Sequence, residues 1–108
     1  LLEAMNALIA HRGPDDGGFY LDGEVGLGHR RLSVIDIAGG HQPMVDTERG
    51  RALAYNGEIF NYRRLRQQLT TAEQSRLATN SDTEVLLKLV DFESFDWLER
   101  LNGMFAFA

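Results

Sequence analysis

A chain of 108 residues, 44% hydrophobic and 25% charged, has material for one folded core and not for two, and it lies outside the composition of disordered chains. Its net charge of -5 speaks against a nucleic-acid surface, which needs clustered Lys and Arg; Arg30 and Arg31, and the trio Arg63, Arg64 and Arg66, are local exceptions, the trio reading as a solvated face. With no cysteine, these residues contain no disulfide, thiolate nucleophile or Cys-based metal site, and no apolar stretch is long enough to span a bilayer.

Leu1, Leu2, Met5, Leu8 and Ile9 recur at helical spacing and predict a first helix with one apolar face. It should end before "HRGPDDGG", where Gly13 and Pro14 break it and a polar loop follows. The run "GFYLDGEVGLGHRRLSVID" predicts an antiparallel pair turning at Asp22-Gly23. Met44 and Val45 open a second hairpin that turns through residues 46–50 and returns over residues 51–55. Asn56-Gly57 then breaks the strand, and Tyr62, Leu65 and Leu69 mark a helix.

The stretch "TTAEQSRLATN" reads as polar and irregular. In "SDTEVLLKLVDF", Ser81 and Glu84 have capping-box spacing, each satisfying a backbone donor, with Val85, Leu86, Leu89 and Val90 facing the core. A short helix over residues 95–101, with Trp97, Leu98 and Leu101 inward, ends at Asn102-Gly103, and "GMFAFA" begins a strand. Antiparallel strands flanked by helices predict an α+β fold in layers. Both ends look cut: the chain opens inside a helical pattern without Met and closes on a strand barely begun. The expectation is a piece of a longer cytoplasmic protein, with sheet edges left open to association.

Three places could carry chemistry. A glycine at a strand's end lets a ligand approach its N–H, and a neighbouring Asn adds an amide donor, so Asn56 and Gly57 could form an oxyanion hole; an ordinary strand-to-helix turn also fits the tripeptide with Glu58. Strand alternation sends Arg30 and Arg31 to opposite faces, and an inward Arg31 needs a carboxylate, either from a substrate or from Asp36 or Asp15. Asp82, in the first turn of its helix, suits either the helix dipole or a substrate ammonium group. His11, His29 and His41 lack metal-ligand spacing and read as loop or core residues, and no phosphate-binding glycine motif is present.

In order along the chain, "HRGPDDGGFY", "LGHRRLSVID", "HQPM", "YNGEIFNYRRLR", "NSDTEVLL" and "LNGMFAFA" resemble the glutamine amidotransferase domain of glutamine-hydrolysing asparagine synthetases, class II amidotransferases of the N-terminal-nucleophile hydrolase family. The resemblance implies an αββα sandwich, incomplete here at both ends, so that residues 1–108 would be a partial glutaminase domain. It implies that Asn56 and Gly57 form the oxyanion hole for the glutamine amide, that Arg31 takes the α-carboxylate and that Asp82 takes the α-ammonium. Leu32, Ser33, Val34 and Ile35 would line the pocket, with Glu58 at its rim.

The family's nucleophile, an N-terminal Cys activated by its own amino group, is not in this sequence. Truncation upstream is the simplest account and natural loss the competing one. No cofactor is implied for these residues; ATP and Mg belong to the synthetase domain expected beyond them. The implied partners are glutamine and that C-terminal domain, with a homodimer allowed and neither nucleic acid nor membrane expected. Amidotransferases of other biosynthetic pathways, and noncatalytic amidotransferase-like modules, share the pattern.

Overall fold

The computed structural model describes residues 1–32 and 40–108. Strands β1 (Asp16–Asp22) and β2 (Val25–Arg31) pair antiparallel from Asp16 opposite Arg31 to Asp22 opposite Val25. The two-residue loop is therefore Gly23-Glu24, one residue later than the sequence suggests, with Gly23 taking the left-handed conformation at φ 55°. Helix α1 (Leu2–Leu8) lies against β2. Its contact face is not the expected one: Leu1, Met5, Leu8 and Ile9 are exposed, while Asn6 is buried and Leu2 packs over Gly26 and Gly28. Leu2 and Asn6 are four residues apart and share a helix face, and the two glycines leave room for it.

Strands β3 (Met44–Asp46) and β4 (Arg51–Leu53) form the second hairpin. Its return strand stops at Leu53, because Tyr55 belongs to a different pair: β5 (Tyr55–Ile59) lies antiparallel to β6 (Gly103–Phe107). The expected break at Asn56-Gly57 does not occur, since both residues sit inside β5, opposite Ala106 and Phe105. The reason is long-range pairing, which closes a contact nearly fifty residues apart and overrides the local turn signal.

Helix α2 (Tyr62–Gln68) buries Leu65, and Leu69 just after it. The stretch read as irregular contains α3 (Thr71–Ser75), held by a complete capping box between Thr70 and Glu73. Helix α4 (Asp82–Leu89) follows Ser81, and α5 (Asp96–Glu99) buries Trp97 but leaves Leu98 exposed.

The core joins Leu53, Tyr55 and Ile59 to Leu65, to Val85, Leu86 and Leu87 of α4, and to Trp97. Ile59 and Leu86 are completely buried, each stabilising the fold by about 2 kcal/mol through the water removed from its surface. Leu89 and Val90 pack at the edge of this cluster. The fold is mixed α+β. Among the described residues its strands form three two-stranded antiparallel sheets, and two larger sheets stacked between helical layers are not formed.

Candidate functional site

The site grows from the edge of β5 that, among the described residues, pairs with no strand. Ala54 and Ala108 exchange two backbone hydrogen bonds of 2.9 Å, and Phe60 N–H donates to the Asn102 carbonyl at 2.7 Å. In an antiparallel ladder this pattern alternates, so the even-numbered residues of β5 bond to β6 and the odd-numbered ones turn their N–H and C=O away. The hydrogen bonds of Tyr55 and Ile59 follow this rule. Tyr55 N–H donates to Gln42 Oε1 at 2.5 Å, His29 Nε2 lies 2.6 Å from the Tyr55 carbonyl, and Ile59 N–H donates to Asp82 Oδ2 at 3.0 Å. By the same alternation, Gly57 N–H is turned to this edge.

Gly57 has φ 150°, and a Cβ there would run into Met104 O and Phe105 Cα of β6. Glycine is therefore needed for both backbone conformation and close strand approach. The donors are presented along an open strand edge and not, as the sequence suggests, at a strand's end. Among the described residues no hydrogen bond engages the Asn56 side-chain amide.

Arg31 and Arg30 follow strand alternation. Arg30 Nε donates to the Gly13 carbonyl at 2.9 Å, whereas Arg31 is buried, its guanidinium against the Gly40 backbone where a side chain would displace it. Of its proposed protein partners, Asp36 lies outside the described residues, and Asp15 donates its N–H to the Arg31 carbonyl at 3.0 Å.

Asp82 begins α4 and is also buried. Its Oδ1 accepts from Thr83 N–H at 2.9 Å, and its Oδ2 accepts from the Tyr55 hydroxyl at 2.7 Å as well as from Ile59 N–H. Three donors fix the carboxylate; since two oxygens offer about four lone-pair sites, one remains for a ligand.

Arg31, Leu32, Asn56, Gly57 and Asp82 line one cavity, together with His29, Gln42, Tyr55, Ser81 and Thr83. It holds about 430 Å³ of atom-free space, counting the solvent at its mouth. Such a narrow polar cleft suits a small polar ligand. Glu58 lies on β5 opposite Met104 and is not among the lining residues. Ser33, Val34 and Ile35 lie outside the described residues.

Burial pushes the His29 imidazole below its ordinary pKa and outweighs the opposite pull of the Tyr55 carbonyl, with the Arg31 charge a smaller contribution in the same direction as burial. His29 is therefore neutral near pH 7. Because a carbonyl can only accept, Nε2 carries the proton and donates to Tyr55. Its Nδ1 is buried without a partner among the described residues. Burial, then the hydrogen bond from the hydroxyl to Asp82 and the charge of Asp82, push the Tyr55 phenol well above its ordinary value, which keeps it a donor. Among the described residues no group of His, Asp or Glu is arranged to hold a metal ion, and no helix is long and apolar enough to cross a membrane.

Sequence reasoning missed the roles of His29, Gln42, Tyr55 and Thr83. For His29 a signal existed, since it stands two residues before Arg31 and alternation puts both on one face.

A strand edge of amide donors between a buried cation and a buried carboxylate has the charges and donors to receive a small zwitterion bearing an acceptor. Residues 1–108 match the glutamine amidotransferase domain family, and the chain belongs to that family. It is 44% identical over 107 residues to asparagine synthetase [glutamine-hydrolyzing] 1 of Bacillus subtilis (strain 168), an alignment covering 99% of this chain and 17% of that protein. It is 39% identical over 104 residues to asparagine synthetase B [glutamine-hydrolyzing] of Escherichia coli (strain K12), covering 96% and 18%. To amidase chry2 of Gibberella zeae it is 41% identical over 109 residues, covering 98% and 16%. The chain thus spans about a sixth of the length of these relatives.

Proposed function

We propose that this chain binds L-glutamine as the glutamine-handling part of an asparagine synthetase, where the amide is hydrolysed and its ammonia passed to ATP-dependent amidation of aspartate. The observation that carries this reading is the convergence of Arg31, Asn56, Gly57 and Asp82 on one cavity. Arg31 takes the α-carboxylate through its planar fork and Asp82 takes the α-ammonium on its remaining lone pair. The Asn56 amide and Gly57 N–H receive the side-chain carbonyl oxygen. As an oxyanion develops there, each donor contributes roughly 3 kcal/mol of transition-state stabilisation. Leu32 lines the cleft; Ser33, Val34, Ile35 and Glu58 complete its wall and rim in this reading.

The attacking group is not among these residues, since the chain has no cysteine. It comes from elsewhere in a longer cytoplasmic enzyme, as do the ATP- and Mg-binding parts. The αββα sandwich belongs to the same proposal, with the paired strands as parts of its two inner sheets. A second reading, a glutamine-binding module without catalysis or one serving another acceptor, draws on the missing cysteine and on the relative named as an amidase.

Calorimetric titration of glutamine into the full chain tests the pocket. Arg31→Met and Asp82→Asn should each weaken binding roughly tenfold to a hundredfold, the worth of a charge-assisted hydrogen bond. Unchanged affinity in Arg31→Met would overturn the assignment. The 108-residue chain by itself should release no ammonia from glutamine, and release above the buffer rate would show that a cysteine is not needed.

A further inference from the structure

The elements that carry the pocket's ligand-facing groups meet at one residue the ligand assignment does not use. Tyr55 is buried, and each of its polar groups is held by a side chain of the cavity wall. Its carbonyl accepts from His29 Nε2 at 2.6 Å, its N–H donates to Gln42 Oε1 at 2.5 Å, and its hydroxyl donates to Asp82 Oδ2 at 2.7 Å. Gln42 continues the chain of contacts, donating through Nε2 to Thr83 Oγ1 at 3.3 Å.

Each link ends within two residues of a proposed ligand contact. His29 stands two before Arg31 on the same strand face, Tyr55 precedes Asn56, and Thr83 follows Asp82. The ladder explains why Tyr55 can do this. As an odd-numbered residue of β5 it has no backbone hydrogen bonds to β6, so its N–H and C=O are available to β2 and to the loop bearing Gln42. Its side chain belongs to the buried core cluster that includes Ile59 and Leu86, which anchors the hub.

We propose that Tyr55 is a positioning residue that sets the Asn56-Gly57 donors in register with Arg31 and Asp82, its hydroxyl serving the ammonium end of the ligand and its Gln42-held backbone the amide end. This rests on the glutamine reading. The hydroxyl fixes Asp82 so that its remaining lone pair faces the cavity; without it, the buried carboxylate turns to recover a partner. The Gln42 brace holds the β5 backbone one residue ahead of the donors. Losing it lets the strand edge shift against α4.

Three probes separate these arms in the full chain: L-glutamine, glutaramate, which lacks the α-ammonium, and norvaline, which lacks the side-chain amide. Tyr55→Phe should weaken glutamine and norvaline about tenfold, about one charge-assisted hydrogen bond, and leave glutaramate unchanged. Gln42→Met should weaken glutamine and glutaramate and spare norvaline. A uniform loss for all three ligands in both variants would mark a merely structural role and overturn the proposal, as would unchanged affinities. If the unaltered chain bound glutamine no better than it bound glutaramate or norvaline, the glutamine reading would fall first and this proposal with it. Because Tyr55→Phe keeps the buried ring and Gln42→Met acts on a separate link, loss of folding in one variant leaves the other to decide.

Discussion

Gly57 illustrates how one residue serves both a strand and a site. Its φ of 150° lies where side chains are rarely accommodated, and a Cβ would meet the backbone of Met104 and Phe105, which cannot swing aside as a side chain could. Gly57→Ala should therefore cost about 2 kcal/mol or more, combining backbone strain with the loss of close strand approach. In urea the unfolding midpoint should fall with little change in slope, because the surface exposed on unfolding is the same. Glutamine affinity should fall with it, since the N–H that faces the cavity moves as β5 and β6 separate. A variant with the parent's midpoint would show that the strand pair tolerates a side chain here, and the argument for an obligatory glycine would fail.

The entrance to α4 shows how a local signal can be right about an element and wrong about a contact. Ser81 Oγ accepts from Glu84 N–H at 3.2 Å, as the capping pattern requires. The Glu84 carboxylate does not return to the Ser81 N–H. It accepts from Ala78 N–H at 2.9 Å, from Thr79 N–H at 2.8 Å and from the Thr79 hydroxyl at 2.6 Å, while Ser81 N–H donates to Thr79 Oγ1. Ser81→Ala should cost about 1 kcal/mol, the usual worth of a cap. Glu84→Ala should cost more, about 2 kcal/mol, because it leaves donors of a part-buried loop unsatisfied. Thermal unfolding of the two variants checks the order; a smaller loss for Glu84→Ala would mean that water replaces the carboxylate there. The complete box lies instead at Thr70 and Glu73, in a stretch whose spacing carried the same signature but whose lack of apolar period hid α3. Caps, hairpins and alternating faces were legible because they are set by neighbours in sequence, and chemistry and order singled out Arg31, Asn56, Gly57 and Asp82, four residues that line one cavity. Gln42 and Tyr55 were not, because their contacts join segments 13 to 41 residues apart and no local period encodes them. The course of β5 through Asn56-Gly57 was hidden for the same reason, its partner strand lying almost fifty residues on.

At the scale of the whole molecule, the same tertiary ties determine how the fold responds to acid. His29 is held below its ordinary pKa of 6.5, so once the pH drops under that value the unfolded chain binds a proton that the folded one refuses. Stability from this site is fully present above 6.5 and is lost as pH falls toward the folded pKa. Asp46 comes next: burial raises its pKa, but the Lys88 hydrogen bond at 2.7 Å, the Arg49 N–H and the Lys88 charge together outweigh burial and leave it below its ordinary 3.8. Asp16, paired with His41, and Glu73, paired with Arg49, are likewise lowered from 3.8 and 4.5. A lowered carboxylate stabilises the fold above its unfolded pKa and ceases to do so as pH falls through the folded one, so these three act below about 4.5. Of them, Asp46 should dominate, since its side chain and that of Lys88 are only 3% and 13% exposed, whereas the His41–Asp16 and Arg49–Glu73 pairs are open to solvent screening. Urea unfolding between pH 8 and 3 should show a flat region above 6.5, then a decline of at most about 1.4 kcal/mol per pH unit for the single His29 site, then a steeper fall below about 4.5. His29→Gln should abolish the first decline and leave the second. Asp46→Asn should lower stability by about 2 to 3 kcal/mol at pH 7 by stranding Lys88, and the gap between its curve and the parent's should narrow as pH falls below 3.8, where the unfolded parent takes up a proton at Asp46. A parent curve that stays flat from pH 8 to 5 would show that protonated His29 finds a partner in the folded chain, and the neutral imidazole assigned to the Tyr55 carbonyl would have to be revised.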